Sequence, residues 1–288
     1  MTVTEQTPAP TTTEVGRART RKEDARLITG RSRYTDSITP HGTLHMHVVR
    51  SPLAHATITS VDTSSALRSP GVLGVYTAAD LGVEAVGLPC AWPITPDMKA
   101  PQRPLLASRT VHFAGEGVAV VVARSAAAAR DAADQVEIDY EPLEPVLDME
   151  AALAEGATLV HPDLGTNENA TWVFDSGAAG TGSSVDEAIA AAEADPDSIV
   201  VKRRFLQQRL IPAFMEPRSC VVDPTGEQIT IWAATQVPHI LRTMTTVTLG
   251  VPESKLRVIA PDVGGGFGGK IGVLPEEMLC VVLAQKTG

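Results

Sequence analysis

The chain has 288 residues, 43% of them hydrophobic, which is enough apolar material for one large domain or two domains of ordinary size. Its net charge of -10, with a single short basic run at residues 17–26, argues against nucleic acid as a partner. Cys90, Cys220 and Cys280 are widely spaced and form no C-x-x-C pair, so cysteines of this chain alone bind no metal or iron–sulfur cluster. We expect a cytoplasmic protein with reduced thiols.

The first half of the chain is predicted to contain a flexible tail and one α/β domain. Residues 1–19 are rich in Thr, Pro and Glu and lack the apolar core of a signal peptide or a membrane anchor. Residues 20–147 form the domain, with strands predicted at 43–50, 56–62, 72–77, 117–123 and 135–140. A helical turn after Asp62 and an alanine-rich helix capped by Ser125 join these strands into two expected βαβ units.

Two features of this half were considered as functional sites. His45 and His47 share one face of the first strand, as a metal pair would, but one strand supplies no third ligand and a half-exposed sheet face explains both residues better. Residues 81–104 carry many prolines and have neither strand nor helix periodicity. They are predicted to form a long loop, a kind of segment that is often functional.

The second half is predicted to begin with a linker region at residues 148–184 and to continue as a second domain at 185–288. Expected elements are a short helix at 149–155, a helix at 185–194, a strand at 199–209, a hairpin formed by 220–223 and 228–234, and a helix between Pro238 and Gly250. A last helix is predicted to begin at Pro275. Its apolar residues are expected to have nothing to pack against: Met278, Leu279, Val282 and Leu283.

A glycine-rich loop follows an apolar strand at residues 255–263 and is the most informative stretch of the sequence. Five glycines surround Phe267 and are followed by Lys270, which suggests a concave nest of backbone N–H groups for an anion, with added positive charge. The letters also fit G-x-G-x-x-G and most of a P-loop. Context disfavours both, because Ile271 stands where the P-loop needs Ser or Thr and because the next helix begins only at Pro275. A plain glycine turn is the remaining alternative.

Several strings together resemble one protein family. In the second half they are Glu216-Pro217-Arg218, residues 234–239 and residues 261–270, and in the first half they are residues 24–30, 34–36, 50–56 and 136–143. Their order and spacing resemble the large subunit of the molybdenum hydroxylases, which include xanthine dehydrogenase, aldehyde oxidase and aerobic carbon monoxide dehydrogenase. The resemblance implies a mixed α/β fold: an α/β hammerhead domain followed by the first part of a molybdopterin-binding domain.

The resemblance also implies which residues bind a cofactor. The family's glycine loop holds the pterin of the molybdenum cofactor, and the matching residues are Gly265, Gly266, Phe267 and Gly268. Gln236 matches a glutamine whose amide hydrogen-bonds an oxygen ligand of molybdenum, although on its own it would be taken for a residue capping the next helix. We expect Gly266→Val to lower cofactor occupancy, partly because Gly266 would occupy a backbone region open only to glycine.

Function and partners follow as further expectations. Ile271 replaces the glutamate of xanthine dehydrogenases, so the chain looks more like the carbon monoxide dehydrogenase-type branch, which oxidises carbon monoxide, aldehydes or N-heterocycles with water-derived oxygen. The implied cofactor is a molybdopterin dinucleotide, in the cytosine form, with molybdenum. The implied partners are an iron–sulfur small subunit with [2Fe-2S] clusters and an FAD-binding medium subunit, in a dimer of heterotrimers.

The chain resembles only the N-terminal third of such a subunit. The catalytic base is expected beyond Gly288, so no catalytic residue and no metal ligand are assigned, and the chain alone is predicted to be inactive. The alternative is a non-catalytic fragment or split-gene module that completes a site only with another chain.

Overall fold

A computed structural model of the chain describes residues 15–173 and 184–288. Most of the predicted tail (1–14) and part of the predicted linker (174–183) lie outside the described residues. The helices are α1 Asp24–Leu27, α2 Ser64–Leu67, α3 Ala78–Leu81, α4 Ala126–Ala133, α5 Val185–Ala194, α6 Pro238–Leu249 and α7 Pro275–Thr287. Short 3-10 turns occur at Thr35–Ser37, Ala151–Leu153, Pro162–Leu164 and Glu253–Lys255.

The strands agree closely with the sequence pattern in most places. They are β1 His45–Arg50, β2 Ala56–Asp62, β3 Val72–Thr77, β4 Gly87–Leu88, β5 Arg103–Pro104, β6 Thr110–Val111, β7 Gly117–Ala123, β8 Glu137–Pro142, β9 Cys220–Asp223, β10 Ile229–Ala233 and β11 Leu256–Ile259. The long proline-rich loop is present, and β4 and β5 pair across its two ends. The short helix expected at 149–155 is a single 3-10 turn.

Six strands of the first half form two separate three-stranded antiparallel sheets, so the prediction of two βαβ units is wrong. One sheet has the order β1-β7-β3 and the other the order β6-β2-β8. The helices that join β2 to β3 and β7 to β8 therefore connect the two sheets, whereas a βαβ unit places both strands in parallel in one sheet. The sequence identified the elements correctly, but their pairing was decided by packing between distant segments.

The core of the first half forms around β7, whose residues after Gly117 are all buried. β7 is the central strand of its sheet, with β1 and β3 on either side. Helix α4 buries Ala129, Ala132 and Ala133 against this sheet. Small side chains allow the helix to approach the strands closely, and Ser125 caps its first turn by accepting the N–H of Ala128 at 3.2 Å.

The second half contains a smaller mixed sheet that supports the glycine loop. β10 is central, antiparallel to β9 and parallel to β11. Helix α6 crosses between β10 and β11 and ends at Gly250, whose φ of 70° gives the left-handed turn that terminates helices. Because β10 and β11 run in parallel, the segments that follow them, at Gln236 and at the glycines, emerge at the same edge of the sheet.

The last helix is not left without packing partners, which corrects the expectation from the sequence. Met278, Leu279, Val281 and Leu283 of α7 are buried in one core cluster. That cluster also contains Val48 and Val122 from the β1-β7-β3 sheet and Ile231 from β10. Helix α7 thus packs against both halves of the chain, which buries an apolar surface that the sequence pattern left unassigned.

The strand predicted at 199–209 does not form. Residues 198–214 are irregular, and the large apolar side chains from Ile199 to Ile211 are exposed. A strand needs a partner for its N–H and C=O groups, and none of the described strands lies beside this segment. Among the described residues, no helix combines the length and apolar character needed to cross a membrane.

Candidate functional site

The glycine loop leaves β11 and runs without regular structure until α7 begins at Pro275. Gly265 and Gly268 have φ of 95° and 85°, in the region that favours glycine. Phe267 between them has φ 48° and is the one non-glycine residue with positive φ in the described chain. Its ring is held outward, 77% exposed, at the tip of the loop. An exposed aromatic ring in a strained backbone position indicates a contact surface for another molecule.

Three consecutive backbone N–H groups of this loop have no hydrogen-bond partner among the described residues. The neighbouring N–H groups are satisfied: Gly264 donates to the Glu216 carboxylate, Gly268 and Lys270 to the Gln236 amide, and Gly269 to the carbonyl of Gly266. Gly265, Gly266 and Phe267 donate to no group in the described part of the chain. A run of free N–H groups that face one side is a site for an anion or for a ring with carbonyl and imine acceptors.

The Gln236 side chain lies against the loop in a fixed orientation. Its Oε1 accepts the N–H of Gly268 at 3.1 Å and that of Lys270 at 3.2 Å. Both partners are donors, so the carbonyl oxygen must face them and the amide Nε2 must point away. The backbone N–H of Gln236 also donates to the carbonyl of Lys270 at 3.1 Å. The loop therefore carries three N–H groups without a partner in the described part of the chain, and the amide N–H₂ of Gln236 points away from Gly268 and Lys270.

Close packing explains three of the loop glycines. A Cβ atom on Gly264 would lie 2.5 Å from the Cβ of Glu216, one on Gly266 would lie 2.4 Å from Oε1 of Gln236, and one on Gly269 would lie 2.8 Å from a ring carbon of Phe214. These are the three glycines that match the dinucleotide pattern by letter. Gly266 itself does not have positive φ, so the backbone argument for Gly266→Val was wrong: in this structure a Cβ atom there meets the Gln236 side chain.

Lys270 is a structural residue, not the free cation expected beside the anion nest. Its side chain is 0% exposed, and Nζ lies 3.0 Å from Oε2 of Glu216 and 4.7 Å from the centroid of the Phe214 ring. The same Glu216 oxygen accepts the N–H of Gly264 at 2.7 Å. The ion pair therefore holds the two ends of the loop together and directs no charge toward a ligand.

Arg218 restrains the far end of the loop. Its guanidinium donates to the carbonyls of Gly269 and Gly272 at 2.8 and 2.6 Å, and it pairs with Glu277 of α7 at 3.0 Å. Burial raises the pKa of the Glu277 carboxyl, and the charge of Arg218 opposes that rise. Glu216 and Arg218 were noted in the sequence only as part of a resemblance. The one sequence signal that both residues support the loop was their position, as opposite charges on either side of a proline just before a strand.

The loop is also tied to the beginning of the described chain. Asp262, just before the glycines, accepts hydrogen bonds from the Arg26 guanidinium and from the backbone N–H of Arg33, the latter at 2.8 Å. The hydrogen bond from Arg26 is the largest cause that holds the pKa of Asp262 below its usual value. Segments that lie far apart in sequence therefore converge at the root of the loop.

Histidines form a second polar cluster, away from the loop. The rings of His112 and His161 stack with centroids 4.5 Å apart, and His55 lies 6.1 Å from His112. In the described residues, however, no group of three or more His, Cys, Asp or Glu side chains is arranged to hold a metal ion. His45 and His47 lie on β1, opposite Ala123 and Val121 of β7.

Comparison with known proteins shows two matching domain families. Residues 29–144 match the sequence model of the aldehyde oxidase and xanthine dehydrogenase a/b hammerhead domain. Residues 160–288 match the molybdopterin cofactor-binding domain. Together the two matches take in both three-stranded sheets of the first half and the whole glycine loop.

Individual relatives show the same likeness. The chain is 41% identical to the nicotine 6-hydroxylase large subunit of Paenarthrobacter nicotinovorans, over 97% of this chain and 33% of that protein. It is 35% identical to the carbon monoxide dehydrogenase large chain of Hydrogenophaga pseudoflava, over 93% and 33%. Among solved structures, the quinoline 2-oxidoreductase of Pseudomonas putida 86 superposes with a TM-score of 0.80 at 37% identity, over 93% of this chain and 33% of that one. The chain thus spans about a third of the length of the relatives it matches.

Proposed function

The chain belongs to the xanthine dehydrogenase and aldehyde oxidase family of molybdenum hydroxylases, and on that basis we propose that it forms part of the cofactor-binding large subunit of an oxidoreductase. The proposed enzyme hydroxylates or oxidises a small substrate with oxygen derived from water. The observation that carries the proposal is the row of unpartnered N–H groups at Gly265, Gly266 and Phe267 beside the outward amide of Gln236.

These groups suit a molybdopterin. A pterin ring and its phosphate supply acceptors for consecutive backbone N–H groups, and the exposed face of Phe267 gives the ring an apolar contact. We propose that Gly265, Gly266, Phe267 and Gly268 hold the pterin side of the cofactor and that the Gln236 amide donates toward the metal end. When bound, the cofactor supplies the redox chemistry, and the residues of this chain bind it, orient it and exclude water from one side.

We propose an N-heterocycle as the substrate class, within the carbon monoxide dehydrogenase-type branch. Two of the similar proteins named above carry nicotine and quinoline in their names, and both compounds contain a nitrogen heteroaromatic ring. Ile271, which stands next to Lys270, offers no charged group for a purine. Carbon monoxide and aldehydes are the alternative substrates within this branch.

The site needs residues from outside this chain. Oε2 of Glu216 accepts from Lys270 and from the N–H of Gly264, so this carboxylate is the partner of a buried cation and a poor candidate for the base. We propose that the catalytic base lies in the remaining part of the large subunit. The exposed apolar segment at 199–211, which lacks a partner strand, is a suitable surface for that part to pair with.

The larger assembly is proposed by analogy. Relatives are large chains or subunits of multi-subunit enzymes. We propose a cytoplasmic complex with a [2Fe-2S] small subunit and an FAD-binding medium subunit, a dimer of heterotrimers, and a cytosine dinucleotide form of the cofactor. Within this chain, the proposed division is a tail at 1–19, a hammerhead domain at 20–147, a linker region at 148–184 and part of the cofactor domain at 185–288.

Metal and pterin analysis of the complete complex tests the proposal. The complex purified from its native source should contain molybdenum and a pterin whose mass identifies the dinucleotide, and it should oxidise N-heterocycles with an artificial electron acceptor. The 288-residue chain alone should show no turnover, because one side of the cofactor would face solvent. An active complex without molybdenum or pterin would contradict the proposal, and turnover by the isolated chain would contradict the need for a second part.

The competing function is a non-catalytic module that retains the fold and completes no site. In that case the native complex would contain this chain without a matching amount of molybdenum. The reading frame that follows Gly288 separates two further forms of the proposal: a single large subunit, or a second polypeptide that completes the pocket.

A further inference from the structure

Helix α7 lies along strand β9 in a register that a single ion pair defines. Arg218, just before the strand, contacts Glu277 in the first turn of the helix at 3.0 Å. Two residues along a strand advance about 6.6 Å. Three residues along a helix advance about 4.5 Å. Cys220 follows Arg218 by two residues on the strand side, and Cys280 follows Glu277 by three residues on the helix. Each cysteine therefore lies one such step beyond the ion pair.

The neighbouring residues fit the same register. Cys220, Val222, Cys280 and Leu283 all line one cavity of about 530 Å³ between β9, α7 and the segment before β1. Neither cysteine is fully buried, and both are free thiols. Strand and helix are held in place on both sides of the pair, by the Arg218–Glu277 contact before it and by apolar packing of Val222 after it. Two thiols on adjacent, fixed elements can form a disulfide when their Cα atoms lie within about 7 Å of each other.

We propose that Cys220 and Cys280 form a thiol pair that closes to an intramolecular disulfide by exchange with a low-molecular-weight disulfide such as oxidised glutathione. In the first step, one thiolate attacks the small disulfide, forms a mixed disulfide and releases one small thiol. In the second step, the other protein thiol displaces the second small thiol. Two protein thiols are oxidised, one small disulfide is reduced to two thiols, and the two protons lost by the protein thiols are taken up by the two departing small thiolates.

The surroundings keep the pair reduced until conditions favour the thiolate. Hydrogen bonding with Cys280 raises the pKa of the Cys220 thiol, and burial and the charge of Glu277 act in the same direction. Closure should therefore become faster as pH rises. The bond would join covalently the same strand and helix that Arg218 and Glu277 connect, next to the loop carbonyls of Gly269 and Gly272 that Arg218 binds. The redox state of the pair would thus change the rigidity of the loop's support.

The third cysteine provides an internal control. Cys90 lies exposed in the long proline-rich loop, whereas Cys220 and Cys280 both line the cavity between β9 and α7. Under the same treatment Cys90 should form a mixed disulfide with glutathione and go no further. Its modification reports that the oxidant is active in each sample.

Peptide mass spectrometry on the native protein, with any subunits that co-purify, tests the proposal. The protein is incubated with oxidised glutathione at neutral pH and at about pH 9, where more thiolate is present, then alkylated and digested without reduction. The expected product is a Cys220–Cys280 linked peptide, lighter than its two parts by two hydrogens and lost on reduction. It should form equally in Cys90→Ser and be absent from Cys220→Ser and Cys280→Ser.

Two results would overturn the inference. One is full alkylation of Cys220 and Cys280 at both pH values in samples whose Cys90 carries glutathione. The other is glutathione attached separately to Cys220 or Cys280, with no linked peptide, since that outcome would place the two thiols beyond bonding distance. Neither result depends on cofactor content, so the test is independent of the proposed function.

Discussion

Glu216 and Lys270 form an ion pair of 3.0 Å beneath the glycine loop, and the lysine side chain has no exposure to solvent. The pair joins the segment before β9 to the lysine that follows the last glycine of the run. Because this cation is paired inside the protein, the groups proposed to face a ligand are backbone N–H groups, the Gln236 amide and the Phe267 ring. Hydrogen bonding would then supply the proposed affinity for acceptors, and the buried charge holds the shape of the loop.

Lys270→Met should destabilise the protein strongly. The substitution leaves the Glu216 carboxylate without its cation in a mostly buried position, and breaking such a pair costs about 3–5 kcal/mol. The free energy of unfolding, measured by denaturant titration, should fall by that order, whereas Lys255→Met at an exposed position should change it little. Equal stability of the two variants would show that the pair does not hold the loop.

Gly266→Ala should lower molybdenum content in the complete complex. The new Cβ would lie 2.4 Å from Oε1 of Gln236, so either the loop or the amide must move. Gly272→Ala is the matched control, since its Cβ meets no atom within 4 Å and its φ is not positive. Metal analysis should show a loss in the first variant alone, and similar losses in both would indicate a general sensitivity of this stretch.

Gln236→Glu and Gln236→Ala should separate two roles of one side chain. A carboxylate can still accept the N–H groups of Gly268 and Lys270 but cannot donate outward, so the Glu variant should keep its free energy of unfolding within about 0.5 kcal/mol. The Ala variant loses both acceptor contacts and should be less stable by about 1–3 kcal/mol.

Turnover of the complete complex provides the second measurement for Gln236. Both variants should lose at least about tenfold in kcat, because a donor aimed at the reacting centre is absent in each. If Gln236→Glu retained full turnover, the outward amide would have no part in the reaction and the residue would serve only to hold the loop.

The stacked histidines should make stability depend on pH. Burial is the largest cause that lowers the pKa of His161 below 6.5, followed by His112 and with a smaller contribution from His55, while Asp163 and Glu116 oppose the shift. The folded state therefore favours the neutral ring, and the unfolded chain takes up the proton first as pH falls. The contribution of His161 to stability is present above about pH 6.5 and is lost as the pH falls below that value.

Unfolding measurements at about pH 7.5 and about pH 5.5 check this dependence, since the imidazole titrates between them. The natural chain should lose stability at the lower pH, and His161→Gln should lose less of it. His239→Gln, at an exposed position, should behave like the natural chain. If His161→Gln lost as much stability between the two pH values as the natural chain, His161 would not be the source of the pH dependence.

The sequence alone determined most local elements. β2, β3, β7 and α5 were predicted at the bounds that the structure has, because each depends on signals within a few residues of itself. Strand alternation or an apolar run marks the strands, and the Ser184–Glu187 capping box begins α5. The glycine run was identified as a ligand-binding loop for a similar reason, since clustered glycines strip side chains from a backbone whatever it packs against. The binding role of its residues, with that of Gln236, stays a prediction.

Only the tertiary structure decided which segments meet. The order β1-β7-β3 and the failure of residues 199–209 to form a strand depend on partners far away in sequence, and hydrophobic periodicity carries no information about partners. The same is true of charge. Lys270 could be a cation for a ligand or half of a buried ion pair, and the outcome depends on whether Glu216 lies beside it. These two residues are 54 positions apart in sequence. Helix α7 was apolar on more than one face for a reason visible only in the fold, which places it between the two halves of the chain. Side-chain pattern sets local conformation, whereas burial and pairing are properties of the assembled chain.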